Sequence, residues 1–300
     1  MGNSPTANTP SNQFQHFLLR KSEEIVSLGK FDTYEDRNSG SFYLAFESTY
    51  GINNQELAES EISQLRKLDA LKNSCRLLSS SVGKSQLLCF ENYAITLSFE
   101  YYPNNLLTLS KSKGPDHQFA EQDLWQLITD IVTYLVSLNS FGLSHGDLQP
   151  KNILFDKNKS LKIICPLIYT VFQNAYKLRL ANDGFKSTYS PEMLLDYADR
   201  NPSPSYDPVR SDIFSLGICL LCYIHSIDYE VFYNFKANSI LFDKIKSSLS
   251  LIIQMQYSEE LFFFVNLCLK QNTYERATLD YLMKIISKRQ APKGEGIQRR

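Results

Sequence analysis

Residues 144–155 read "SHGDLQPKNILF". His145, Asp147 and Asn152 fall within this one short stretch: an imidazole, a carboxylate able to take a proton, and an amide whose oxygen suits a hard cation. Together they suggest phosphoryl transfer, a chemistry that depends on positioning and charge neutralisation more than on covalent work by the protein. Such a reaction also needs groups that hold phosphates and metal, and those must come from elsewhere in the chain.

Upstream, "EQDLWQLITDIVTYLVSLNSFG" carries Leu124, Leu127, Ile128, Ile131, Leu135 and Leu138 at helical spacing and stops near Gly142. Before it come short strands around turn signals over 22–48, with "EDRNSGS" as a hairpin and "FYLAF" as the strand leaving it. An acidic helix, "NNQELAESEISQLRKLDAL", follows, and then the strand-like runs "SQLLCFEN" and "YAITLSFEYY", which end at Pro103. Downstream, residues 206–282 read as helices, and "SDIFSLGICLLCYI" is apolar almost all round, as a helix inside a core is. Strands first and mostly helices afterwards is an α+β pattern. Residues 1–21 read as a flexible, largely polar tail and residues 290–300 as a basic flexible one.

Of the 300 residues, 43% are hydrophobic and 21% charged, enough for one large domain or two lobes. The formal net charge of −1 and the lack of a basic, aromatic stripe give no electrostatic footprint for nucleic acid, so none is expected as a partner. Six scattered cysteines point to a reducing compartment, hence a cytoplasmic location. Cys219 and Cys222 form a C-x-x-C, but within an apolar run that reads as core. No apolar run reaches the roughly 18 residues of a membrane span. The opening "MGNSPT" matches the myristoylation pattern, with Gly2 as acceptor and Thr6 at the hydroxyl position, which implies a weak, reversible membrane association.

The downstream residues make the pattern specific. "HGDLQPKN" resembles the protein kinase catalytic loop H-R-D-L-x-x-x-N, "YSPEMLL" resembles the A-P-E segment, "SDIFSLG" the start of a long buried helix, and "ERATLDYL" the terminal segment. Over roughly 22–288 the chain is similar to the eukaryotic protein kinase-like superfamily. The implied fold is two-lobed: a small antiparallel N-lobe with one helix over 22–102, and a larger, mainly helical C-lobe over 103–289. The resemblance puts Asp147 in the base position and Asn152 in the metal-ligand position. It gives structural roles to His145, a packed loop residue, to Glu192 and Arg276, an ion pair, and to Asp212, which accepts hydrogen bonds from the catalytic loop. "FEYYP" resembles the hinge between lobes: Phe99 guards a nucleotide pocket to which Tyr101 and Tyr102 lend backbone groups, with Ala45 above and Leu154 below the adenine. Glu61 sits where the family keeps the glutamate of its helix–lysine pair.

Three departures bear on activity. The lysine of V-A-I-K should end "LAFE", but that position is Glu47, and two carboxylates about 4 Å apart repel by roughly 1 to 4 kcal/mol. The phosphate-covering G-x-G-x-x-G is matched only by Gly29 in "LGKFDTYEDRNSG". The metal-holding aspartate of D-F-G falls on Cys165 in "ICPL", a soft ligand unsuited to magnesium. The resemblance therefore implies a degenerate member, a pseudokinase, with ATP a doubtful cofactor, magnesium weak or absent, and no metal site assigned. Its expected role is binding, scaffolding or regulation, with protein partners such as an active kinase or a signalling complex. The alternative is an atypical active Ser/Thr kinase with displaced groups: Lys30 for the lysine, Asp183 toward a metal. A small-molecule phosphotransferase shares H-G-D-x-x-x-x-N but lacks the "SPE" and "SDIFSLG" signals.

Overall fold

The computed structural model describes residues 17–25, 29–36, 38, 42–50, 55–87, 90–114, 117–156, 158–164, 176, 179–180, 184–201, 203 and 205–290, for parts of the strands and the first helix by backbone alone. Gly2, Cys165, Asp183 and residues 291–300, all given meaning by sequence, lie outside them. By contacts the described chain divides into two units, one running to Ser63 and resuming over Arg76–Tyr101, the other comprising Gln64–Cys75 and the chain from Tyr102 onward. The sequence reading put the boundary one residue later and assigned 64–75 to the first lobe.

The first unit is built on one five-stranded antiparallel sheet. Its strands are β1 (Phe17–Ile25), β2 (Gly29–Asp36), β3 (Phe42–Tyr50), β4 (Leu77–Leu87) and β5 (Phe90–Glu100), in the order β1-β2-β3-β5-β4. Two strands differ from the sequence reading. β1 begins at Phe17, inside the stretch read as a tail over 1–21, because "FLLRK" pairs with β2 from Phe17↔Asp36 onward, with a bulge between Leu19 and Lys21. β4 begins at Leu77, where "LLSSSVGK" looks like a loop on composition; cross-strand pairing with β5 over Leu77↔Phe99 to Leu87↔Phe90 makes it a strand. The same pairing splits "SQLLCFEN" between two strands.

Helix α1 (Gln55–Asp69) follows β3 and buries Ile62, Leu65 and Leu68, three residues apart along one stripe. The second unit opens with the two-residue strand β6 (Asn104–Asn105) and α2 (Leu106–Ser112). Asn105 caps this helix in a reciprocal box with Thr108: Thr108 N donates to Asn105 Oδ1 and Asn105 N to Thr108 Oγ1, both at 2.9 Å. α3 (Glu121–Ser140) carries the predicted apolar stripe, buried from Leu124 to Leu138. β7 (Ile153–Phe155) and β8 (Leu161–Ile163) complete a small sheet with β6. After them come α4 (Pro191–Ala198), α5 (Pro208–His225), a short β9–β10 hairpin (Tyr233–Asn234, Ser239–Ile240), α6 (Phe242–Gln254), α7 (Glu259–Cys268) and α8 (Leu279–Gln290).

Every residue of α5 from Ser211 to Ile224 is buried, as its all-round apolar sequence requires. Asp207 caps its start by accepting from Val209 N and Arg210 N at 2.9 and 3.0 Å, Pro208 occupies the first turn, and Ser226 ends it in the left-handed region at φ 55°. Cys219 and Cys222 are buried free thiols in this helix, and burial pushes both well above the ordinary thiol range. Glu121 ties three helices together, accepting from Ser258 N at 2.8 Å and Oγ at 2.6 Å, from Trp125 at 2.9 Å and from Arg289 at 3.2 Å. No helix among the described residues is long and apolar enough to cross a membrane.

Candidate functional site

The loop between α3 and β7 is held from below by α5. Asp212, in its first turns, accepts the backbone N–H of His145 at 2.6 Å and of Gly146 at 2.8 Å, one on each carboxylate oxygen. Burial pushes the Asp212 carboxyl up to about 7, while these two N–H groups pull it back and the nearby Asp147 adds to the rise. Gly146 sits at φ 74°, a left-handed conformation that glycine adopts without strain. Its lack of a side chain thus suits the backbone path that Asp212 anchors.

His145 is buried, its Nε2 2.9 Å from the carbonyl of Ile164, while its Nδ1 accepts from Asp147 N at 3.2 Å. These partners fix the neutral tautomer with the proton on Nε2. Burial pushes the imidazole down to about 4, only partly offset by the Ile164 carbonyl. His145 therefore works as a neutral strut, as its packed-loop reading held.

Asp147 is 2% exposed and its carboxylate is heavily engaged. Gln149 Nε2 donates to both oxygens at 3.0 Å, Asn152 Nδ2 donates to Oδ2 at 3.0 Å and to the Asp147 carbonyl at 2.8 Å, and Ser187 Oγ donates to Oδ1. Sequence reasoning missed Gln149 and Ser187. Gln149 was visible two residues after the aspartate, in the run "DLQPKN", whereas Ser187 is 40 residues away and reaches the site only through the fold. The neighbouring Thr188 donates to the Leu148 carbonyl, and Ser215 of α5 donates to the Thr188 carbonyl at 2.6 Å, so the segment before α4 is stitched to both loop and helix.

The predicted ion pair is formed. Arg276 and Glu192 meet as a fork, NH1 to Oε1 at 2.7 Å and NH2 to Oε2 at 3.0 Å, with NH1 also donating to the Arg210 carbonyl at 2.7 Å and Nε to that of Lys270 at 3.2 Å. Burial raises the Glu192 carboxyl, but Arg276's hydrogen bonds and charge outweigh it and hold the group below the usual carboxylate range. Removing one partner of such a pair costs about 3–5 kcal/mol, because the other charge stays buried alone.

The pocket positions fall in both units. In the first, β3 pairs with β5 so that Ala45 faces Ser98, Glu47 faces Thr96 and Leu44 faces Phe99, while Gly29 opens β2 opposite Ile25. For Ala45, Glu47, Gly29, Lys30 and Glu61 the backbone alone is described. Phe99 is buried at the end of β5, and Tyr101 is half-buried. In the second unit Tyr102 is buried, as is Leu154 in β7 between Asn105 and Lys162.

A magnesium ion would need an octahedron of oxygens with one or two carboxylates among them. Asn152 Oδ1 is buried without a hydrogen-bond partner, as a cation ligand would be. The Asp147 carboxylate is already engaged by Gln149, Asn152 and Ser187, the residue that the resemblance puts at a second metal position, Cys165, lies outside the described residues, and among the described residues no cluster of three acidic, His or Cys side chains could hold a metal. The described residues do not make a magnesium site.

A family model for the protein kinase domain matches residues 46–286. Serine/threonine-protein kinase ppk11 of Schizosaccharomyces pombe is 25% identical over 259 residues, 82% of this chain and 77% of that protein. The membrane-associated tyrosine- and threonine-specific cdc2-inhibitory kinase wee-1.3 of Caenorhabditis briggsae is 29% identical over 105 residues, and serine/threonine-protein kinase ppk8 of S. pombe is 30% identical over 139. This chain covers 35% and 45% of itself in those two matches but spans only 15% and 25% of the relatives' lengths. With the catalytic-loop frame, the fork between Glu192 and Arg276, and a family model covering most of the chain, this protein belongs to the protein kinase domain family.

Proposed function

We propose that this kinase-domain chain is a pseudokinase, a binding or regulatory module whose phosphoryl transfer is impaired. The observation that carries this reading is Glu47 at the position of the phosphate-binding lysine, with Ala45 two residues earlier in the same strand. An anion there repels the triphosphate that a cation would hold. The cysteine at position 165 and the shortage of glycine around Gly29 point the same way. So does the engagement of Asp147, whose oxygens accept from Gln149, Asn152 and Ser187 and would have to give up a partner to take a substrate proton. In this role the chain engages protein partners, an active kinase or a signalling complex among them, and a lipid on Gly2 would hold it loosely at a membrane surface.

Two observations favour a second reading, an atypical Ser/Thr kinase: Asn152 Oδ1 is buried and unpartnered, and relatives such as ppk11 are named as kinases. Calorimetric titration with ATP, with and without magnesium, separates the two. Under the pseudokinase reading magnesium leaves the titration unchanged, and Glu47→Lys tightens nucleotide binding at least tenfold. Tight, magnesium-dependent binding by the parent chain that disappears in Lys30→Ala would overturn it in favour of displaced chemistry.

A further inference from the structure

The second unit contains a cavity of about 710 Å³ whose lining includes none of His145, Asp147 and Asn152. Among the described residues lining it, four are cationic (Arg179, Lys186, Arg200 and Lys236) and none is acidic. In a chain with a formal net charge of −1, that local imbalance is not a consequence of composition.

Arg179 is the unusual member. It is 2% exposed, with its guanidinium carbon 4.4 Å from the ring centroid of Tyr197, 5.0 Å from that of Tyr189 and 5.3 Å from that of Phe235. Its terminal nitrogens donate to the carbonyls of Phe185 at 3.4 Å and Phe235 at 3.1 Å, and to Asn238 Oδ1. Its Nε is buried with no hydrogen-bond partner. Rings and carbonyls replace part of the lost hydration of a buried cation, but they do not neutralise it, and an orphan guanidinium N–H calls for an anionic acceptor. Lys186 is partly spoken for, with its ammonium 2.8 Å from Glu230 Oε2 and 5.5 Å from the Phe235 ring. Arg200 and Lys236 are exposed.

Several cations lining one cavity, with the unspent Nε–H of a buried guanidinium among them, match a group with multiple negative oxygens, and a phosphoryl group carries nearly two charges and three acceptor oxygens. The cavity is much larger than a phosphate ion, and Leu180, Tyr197 and Phe235 give it apolar wall, so the ligand brings a side chain with the anion. We propose that this cavity is a docking site for a phosphorylated segment of a partner polypeptide, with Arg179, Arg200 and Lys236 meeting the phosphoryl group. The site goes beyond the pseudokinase reading and stands whether or not the chain transfers phosphate, since none of the described residues lining it belongs to the nucleotide or catalytic set.

The test uses the full chain, immobilised, with two peptide pools of random sequence around a central phosphoserine or phosphotyrosine, their unphosphorylated counterparts, and inorganic phosphate. Retention of a phosphorylated pool, absence of the unphosphorylated one, weakening with added salt, and at least a tenfold loss in Arg200→Glu/Lys236→Glu are the expected results. Both substitutions are at exposed positions, and an unchanged unfolding midpoint verifies that the variant is folded. Equal retention of phosphorylated and plain pools, full retention by the folded double variant, or inorganic phosphate binding as tightly as the peptides would each overturn the proposal. Nucleotide binding is read separately, so failure here leaves the pseudokinase reading standing.

Discussion

His145 shows how one side chain's surroundings set its function. An imidazole near the reacting group invites an acid–base role, but this one is buried, donates to the Ile164 carbonyl, accepts from Asp147 N and is pushed down to about 4. The unfolded chain protonates this residue near its ordinary value of about 6.5, whereas the folded chain does so only near 4, so acidification across that window destabilises the fold. The slope is at most about 1.4 kcal/mol per pH unit. Asp212 acts in the opposite sense: its folded value near 7 lies above its unfolded one, so it withholds stability as pH rises toward 7. His145→Gln removes the first effect and leaves the second. Urea midpoints should then show a variant less stable than the parent at pH 7, with that deficit shrinking by pH 5; a constant deficit would contradict the strut account. The engagement of Asp147 was half legible. Asn152 was singled out by the motif as a metal-ligand position and not as a partner of Asp147, and Ser187 lies 40 residues away, with no periodicity or spacing in the sequence to announce that contact.

At the scale of elements, the helices were readable because their apolar stripes are long and their caps explicit, as in α3 from Leu124 to Leu138 and α5 behind Asp207 and Pro208. The strands were harder. β4 runs through "SSSVGK", polar and small, and exists because β5 pairs with it, an energy that belongs to the partner strand and not to local propensity. β1 was truncated for the same reason. A different limit shows at Gly217, in the middle of α5. Helix propensity favours Gly217→Ala by about 1 kcal/mol. The new Cβ, however, would lie 2.6 Å from Leu269 Cγ, 2.7 Å from its Cδ2 and 3.0 Å from Cys268 Cβ, all buried just beyond or at the end of α7. Overpacking of this kind costs about 1–3 kcal/mol. We expect a net loss of up to about 2 kcal/mol in chemical denaturation, and higher stability of the variant would show that α5 and α7 can part without cost.

At the scale of the whole molecule, the retained and the lost residues divide by what they do. Asp212 under the catalytic loop and the fork between Glu192 and Arg276 serve the fold, and the structure forms both contacts. At the two positions where the resemblance expects a phosphate-pairing lysine and a magnesium-holding aspartate, the sequence has Glu47 and Cys165. Family and fold were therefore legible in "HGDLQPKN", "SPE" and "SDIFSLG", whereas the site's chemistry depends on charges that the sequence replaces and on contacts that only the fold makes. Under the pseudokinase reading proposed above, loss of cation and metal together would remove most of what lowers a phosphoryl-transfer barrier. The most direct measurement is incorporation of labelled phosphate from magnesium–ATP into the chain itself and into a mixed protein substrate, run beside Asp147→Ala. The account predicts no incorporation by the parent above that of the variant. Robust incorporation that Asp147→Ala abolishes would contradict it and make this chain an active kinase.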